Sequence, residues 1–378
     1  MQRRYFDHNA TSPPSPAAMT AFVDASREVF GNASSVHRDG QMARQRLESA
    51  RRSIAGRVGR GPKELVFTGG GTESNNLAVL GVVRAVKAGR RHVVTSRIEH
   101  PAVLAACAVL EREGVEIGYA RPNSAGVIEP DEVRALLRPE TVLVSVMHAN
   151  NETGVIQPVA EIARAARETG ARMHSDGVQL GGRLPVDLEA LGVDLYAIGG
   201  HKFGGPKGVG ALYVRDGVEI EPLLVGGRHE RSRRAGTENV PGAAAMAAAF
   251  EEFDWTSLAP LRNRLATALG AMPGVSINGA GAERLPNTVN ATFEGVDGEA
   301  MVIALDLRGF AVSSGSACSS GAVEPSHVLL AMGLSPANAR SSVRFSLGPG
   351  TSEQDVDALA EAATVAFAHL LRLSPTYA

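Results

Sequence analysis

The chain reads as an α/β protein: a mainly parallel mixed sheet covered by helices, followed by a smaller α+β unit. Two observations predict this. Between residues 64 and 215, short apolar runs alternate with longer stretches of helical periodicity. That order needs crossover connections, and so a parallel sheet covered on both faces. Past residue 252 the alternation stops, and LPNTVNATF and SSVRFSLG read as strands of a second sheet.

The elements follow in order. ELVFT (64–68) is a β-prone run that meets GGGT and then ESNNLAVLGVVRAVKAG, which has helical periodicity. HVVTS (92–96) leads into PAVLAACAVLEREG. TVLVSVMHA (141–149) precedes VAEIARAARETG, a helix that stops at glycine. ARMHS (171–175), DLYAIGG (194–200) and GVGALYVR (208–215) supply further strands, and VPGAAAMAAAF (240–250) a further helix. TSEQDVDALAEAATVAFAHLLRL begins with a Ser-x-x-Asp cap, Ser352 with Asp355, and runs as a terminal helix. Residues 13–252 are thus expected to form a large domain, and residues 1–12 with 253–378 a small one.

Composition narrows the function classes. The chain has 378 residues, too many for one ordinary domain. A net charge of −2 gives no footprint for nucleic acid or a membrane surface. No apolar run nears the ~20 residues of a membrane span, and MQRRYFDHNATSPP lacks a signal peptide's apolar segment. Two cysteines make no disulfide framework and fit a reducing, cytoplasmic compartment. The histidines show no HExxH or paired-cysteine spacing, so no metal site is expected.

Four features sit at strand ends, the edge where parallel sheets hold ligands. FTGGGTESNN (67–76) is strand, glycines, then helix. It is either a phosphate cradle, with free N–H groups at the helix start, or a plain tight turn. In HSDGVQ (174–179), Asp176 either pairs with a ligand cation or caps a helix. In GGHKFGGPKG (199–208), Lys202 either attacks a carbonyl or is a surface lysine. Its glycine flanks favour it over Lys207, because a bulky cofactor needs room. In RIEHPAV (97–103), His100 either stacks on a flat ring and moves protons or is structural. Together, a phosphate anchor, an acid, a lysine and a stacking histidine match what pyridoxal 5'-phosphate requires.

The ordered motifs YFDHNATSP, FTGGGTESNN, EHPAV, VMHANNETGVIQP, HSDGVQ, GGHKFGGPKG, RRAGTENV, SSGSACSSGAVEPSHVL and VRFSLG carry a resemblance over nearly the whole length. The chain resembles the cysteine desulfurases, in the class V group of fold-type-I pyridoxal phosphate enzymes. The resemblance implies that the large domain binds the cofactor and that Lys202 carries its aldehyde. Asp176 would pair with the pyridinium nitrogen. Gln179 and Asn151 would reach the ring oxygen, and His100 would stack on the ring and transfer protons. Gly71, Thr72 and His201 would bind the phosphate, with Thr237 reaching across a homodimer interface. Arg344 would clamp the substrate carboxylate, helped by Asn32. One position departs from the pattern: Gly199 stands where many relatives have a serine that donates to the phosphate.

The resemblance also gives Cys318, in SSGSACSSG (313–321), a role as the nucleophile that takes sulfur from L-cysteine as a persulfide. A nucleophile that must then reach an outside acceptor suits a Ser/Gly-rich tether with high backbone freedom. Cys107, in AVLAACAVL, reads instead as a packed core residue. The arm resembles the longer-loop branch, whose acceptors include iron–sulfur cluster scaffolds and tRNA-thiolation proteins. Rival readings are a selenocysteine lyase or class V aminotransferase on the same fold, and a non-catalytic sulfur carrier.

Overall fold

The computed structural model describes residues 3–86, 89, 91–250, 253–314 and 324–373. β1 (Arg4–Tyr5) opens the chain. It is followed by β2 (Leu65–Thr68), β3 (His92–Ser96), β4 (Glu116–Ala120), β5 (Thr141–Ser145), β6 (Arg172–Asp176), β7 (Leu195–Gly199) and β8 (Gly210–Val214). β2 to β8 form one seven-stranded sheet in the order β2-β8-β7-β6-β5-β3-β4. Pairs among β3, β4, β5, β6 and β7 are parallel; β8 runs antiparallel to both neighbours. The mainly parallel sheet expected from the alternation is present.

Its burial on both faces follows from the two-residue period of a strand. Leu65, Phe67, Tyr196, Ile198, Ala211 and Tyr213 enter one apolar cluster; Val66, Leu195, Ala197, Leu212 and Val214 enter another. The second cluster is closed by the helices Gly71–Ala85 and Pro101–Arg112. The first takes in residues of Pro16–Glu28, Arg38–Arg57, Val159–Glu168 and Val240–Ala249.

β9 (Val275–Ile277), β10 (Thr288–Phe293), β11 (Phe310–Ala311) and β12 (Ser342–Ser346) follow, and β12-β10-β9 form an antiparallel sheet. The first residues return to this end of the chain: β1 pairs with β11 and Asp7 bridges to Ser346. The terminal helix Glu353–Leu373 starts at the reciprocal cap read from sequence, with Asp355 N–H donating to Ser352 Oγ at 3.2 Å and Ser352 N–H to Asp355 Oδ2 at 3.1 Å. No helix among the described residues is long and apolar enough to cross a membrane.

Candidate active site

β7 ends at Gly199 and tightens at once into a 3₁₀ turn, Gly200–Lys202. The turn aims Lys202 at the N-terminal segment, where Nζ donates to the carbonyls of Asn9 at 2.7 Å and Ala10 at 2.9 Å. His201 sets Nδ1 3.1 Å from Thr11 Oγ1. Burial, with the charges of Lys202, Lys207 and Arg183, pushes its pKa down to about 4. It is a neutral imidazole at pH 7.

β6 ends at Asp176, whose Oδ1 accepts the Val178 N–H at 2.9 Å and whose Oδ2 accepts Asn75 Nδ2 at 2.7 Å. Asn75 lies on the helix that starts at Gly71, so this bond locks the carboxylate to the cradle helix. Gly70 carries φ +146°, a region open to glycine, and a side chain there would meet open space. A Cβ on Gly71 would lie 2.6 Å from Val178 Cγ2, so only glycine lets the helix start this close to the Asp176 turn. No hydrogen bond from the N–H groups of Gly71, Thr72 and Glu73 to the described residues is present, leaving three donors at a positive helix end. Glu73 turns back, accepting the Gly69 N–H at 2.7 Å, and is neutralised by Arg234 Nε at 2.8 Å. Arg234 belongs to a segment with three consecutive non-glycine residues at positive φ: Glu230, Arg231 and Ser232. That strain is held by the buried Glu230 carboxylate, which accepts Arg51 at 2.6 and 2.7 Å and the Phe67 N–H at 2.9 Å.

His100 caps the helix Pro101–Arg112, its Nδ1 accepting the Ala102 N–H at 3.1 Å. Burial lowers its pKa, Asp176 opposes this, and Lys202 and His327 add to it. Beside it, Glu99 is fully buried and pushed up to about 8 by burial. Its Oε1 ties Ser96 Oγ, at 2.5 Å, to the Met147 N–H, at 3.0 Å, joining two strand ends. The imidazole of His327 meets the Glu99 carbonyl at 2.9 Å.

Asn9 gathers these pieces. Its carbonyl accepts Lys202 Nζ and, at 3.0 Å, Gln179 Nε2. Its side chain donates to the Asn151 carbonyl at 3.2 Å and Thr288 Oγ1 at 2.9 Å, and its N–H to Ser346 Oγ at 2.9 Å. Arg344, on β12, donates to the Asn151 carbonyl at 3.0 Å and to Asp7 Oδ1 at 2.8 Å. Arg344 and Ser313 exchange both backbone hydrogen bonds, at 2.7 and 3.1 Å. On the far side of segment 315–323, Ser326 Oγ donates to Glu152 Oε2 at 2.5 Å. Cys318, and the tether reading placed on it, lie outside the described residues. Cys107 is buried as expected, its thiol pushed up to about 12 by burial.

The structure thus brings Lys202, Asp176, Gln179, Asn151, His201, Gly71, Thr72, His100 and Arg344 onto linked elements at one sheet edge. Asn32 and Thr237 are exposed, and among the described residues neither bonds Lys202, Asp176 or Arg344. Sequence reasoning did not select Asn9, Glu99 or Arg183. Asn9 stood inside a quoted motif; nothing local marks Arg183.

A lysine, a carboxylate and three free N–H donors at the carboxyl edge of a mainly parallel sheet fit a pyridoxal phosphate enzyme. Gly71 lets the helix start close against Val178 beside the Asp176 turn, and the free N–H donors there suit a phosphate dianion. The model for aminotransferase class-V matches residues 4–359. Cysteine desulfurase IscS of Methanosarcina thermophila is 42% identical over 377 residues, covering 98% of this chain and 93% of that protein. Cysteine desulfurase IscS of Anaeromyxobacter dehalogenans (strain 2CP-C) is 45% identical over 363 residues, covering 93% and 89%. A solved NifS-like protein superposes with TM-score 0.90 at 35% identity, covering 96% of this chain and 99% of that one. A structure described as SspA in complex with cysteine superposes with TM-score 0.84 at 34% identity, covering 92% and 100%. The chain belongs to the class-V aminotransferase family, whose enzymes depend on pyridoxal phosphate.

Proposed function

We propose that the chain is a pyridoxal-phosphate-dependent cysteine desulfurase that converts L-cysteine to L-alanine and takes the sulfur onto Cys318. One observation carries most of the weight: cradle, acid and lysine strand are fastened together. Asn75 on the cradle helix bonds Asp176 at 2.7 Å, and a Cβ on Gly199 would lie 3.7 Å from Gly71 N.

In this reading residues 13–252 hold the cofactor, while residues 1–12 and 253–378 bring Arg344 and Cys318 to it. Lys202 carries the aldehyde and Asp176 faces the ring nitrogen. Gln179 and Asn151 face the ring oxygen, and Gly71, Thr72 and His201 hold the phosphate. When bound, the cofactor supplies an electron sink that makes the substrate α-proton acidic. Arg344, with Asn32, holds the substrate carboxylate, and His100 moves the proton. The neutral state favoured by its burial suits a base. The Cys318 thiolate then attacks the substrate sulfur. The Cβ–S bond breaks, its electron pair returns to carbon, carbon takes a proton, and alanine leaves a persulfide on Cys318.

The active unit in this reading is a homodimer in which Thr237 of a second copy completes the phosphate site. Exposed apolar side chains support it: Phe30 is 76% exposed, Val36 87% and Val225 81%. A cytoplasmic acceptor, an iron–sulfur scaffold or a tRNA-thiolation protein, takes the sulfur onward.

The test is incubation of the holoprotein with L-cysteine, followed by alanine assay and intact mass. Equal yields of alanine and a 318-borne persulfide are expected. Undiminished alanine release by Cys318→Ala would refute the assignment and favour a lyase without a protein nucleophile; a 2-keto acid formed in place of alanine would favour a transaminase.

A further inference from the structure

Arg183 is a buried cation with no anionic partner among the described residues. It is 4% exposed, and its guanidinium lies over the Trp255 ring, 4.6 Å from the centroid. All three nitrogens donate. Nε and Nη2 reach the Lys202 carbonyl at 3.0 and 2.7 Å, and Nη2 also the His8 carbonyl at 2.7 Å. Nη1 reaches Asn9 Oδ1 at 2.8 Å and Gln179 Oε1 at 2.9 Å. Every acceptor is neutral, so a dry charge is maintained by hydrogen bonds alone. Burial, with Arg344 nearby, lowers its pKa to about 9. A charge left this way is costly, and an apolar side chain of similar volume would pack the same space at lower cost.

What the fork holds explains its position. It grips the backbone of Lys202, whose amine donates to Asn9 O. It occupies Gln179 Oε1, which fixes that amide with Nε2 on the same Asn9 oxygen. We propose that Arg183 is a positioning residue for cofactor uptake, setting Lys202, Gln179 and residues 8–9 as one rigid unit. This rests on Lys202 being the cofactor-bearing lysine. A lysine at 183 keeps the charge but places its three donors on one nitrogen, and cannot reach these four acceptors as the planar fork does.

The test uses the full chain stripped of cofactor and mixed with pyridoxal phosphate. Uptake is followed by the visible absorption band, and borohydride reduction with peptide mass locates the cofactor. Arg183→Met and Arg183→Lys are expected to take up cofactor about tenfold more slowly or worse, the scale of losing charge-assisted hydrogen bonds. Methylguanidinium added to Arg183→Ala, which leaves the space of the fork open, should restore part of the rate. Melting temperatures of the stripped proteins separate this from general instability; if Arg183→Met does not fold, Arg183→Lys carries the test. Wild-type uptake by the folded variants overturns the proposal, as does a rate loss that tracks melting temperature with no methylguanidinium rescue. Cofactor found on a lysine other than 202 overturns the functional reading as well, which distinguishes the two failures.

Discussion

Arg344 Nη2 lies 2.8 Å from Asp7 Oδ1, so the arginine proposed to clamp the substrate carboxylate already faces a carboxylate of its own chain. The guanidinium is 3% exposed and its Nε has no partner among the described residues. A substrate must therefore share Arg344 with Asp7. Asp7→Asn keeps an oxygen for Nη2 and deletes the competing charge. We predict a lower KM for L-cysteine, by about threefold or more, with kcat little changed. A raised KM would mean that Asp7 orients the arginine rather than competing for it.

Gly199 offers a gain-of-function test. Its backbone, at φ −120° and ψ 114°, accepts any residue. A Cβ there would point toward the cradle, 3.7 Å from Gly71 N, and would press on Val178 Cγ1 at 3.1 Å. A serine hydroxyl adds a neutral hydrogen bond to the phosphate, worth roughly 0.5–1.5 kcal/mol. Gly199→Ser should tighten pyridoxal phosphate binding several-fold in a fluorescence titration. Unchanged or weaker affinity would mean that Val178 does not yield.

Glu73 places a negative charge at the mouth of a phosphate cradle, and Arg234 cancels it at 2.8 Å. Arg234→Ala should weaken cofactor binding by about tenfold, as repulsion in a partly desolvated site is exposed. Adding Glu73→Gln should recover most of the loss. Additive losses in that double-mutant cycle would rule out the charge-cancelling role.

Glu99 and the buried histidines give stability opposite slopes with pH. The folded Glu99 pKa is about 8 against a reference of 4.5. The folded state therefore holds that proton more tightly, and stability falls as pH rises from about 4.5 to about 8. His8 and His174, lowered to about 3, and His148, lowered to about 4, act the other way: stability is full above 6.5 and falls as pH drops through the folded values. Glu99→Gln should melt like the parent near pH 5 and several degrees higher near pH 9. Parallel melting curves across that range would show that Glu99 is ionised in the fold.

Much of this was legible because the chemistry sits where periodicity breaks. Each strand end carried a glycine or a polar residue next to an apolar run, so Asp176, Lys202 and the 69–72 cradle could be found without the fold. The helix Arg38–Arg57 was not found. Its buried stripe, with Ala43, Leu47, Ala50 and Ile54, is thin among arginines and glutamines, and gives a weak pattern. Arg183 was not legible for a different reason. Its meaning comes from acceptors at residues 8, 9 and 202, and no local sequence pattern records a contact across such distances. Thr237 and Asn32 came only from resemblance, and among the described residues neither bonds Lys202, Asp176 or Arg344.

The links from Asn9 to Lys202, Thr288 and Ser346 set an order of events during synthesis. A nascent polypeptide emerges amino end first, so residue 9 waits on the ribosome until its last partner, 337 positions later, has been translated. Vitamin capture is then an act of the finished molecule. A truncated product ending before β12 should leave the ribosome colourless, however much of the larger sheet it has built.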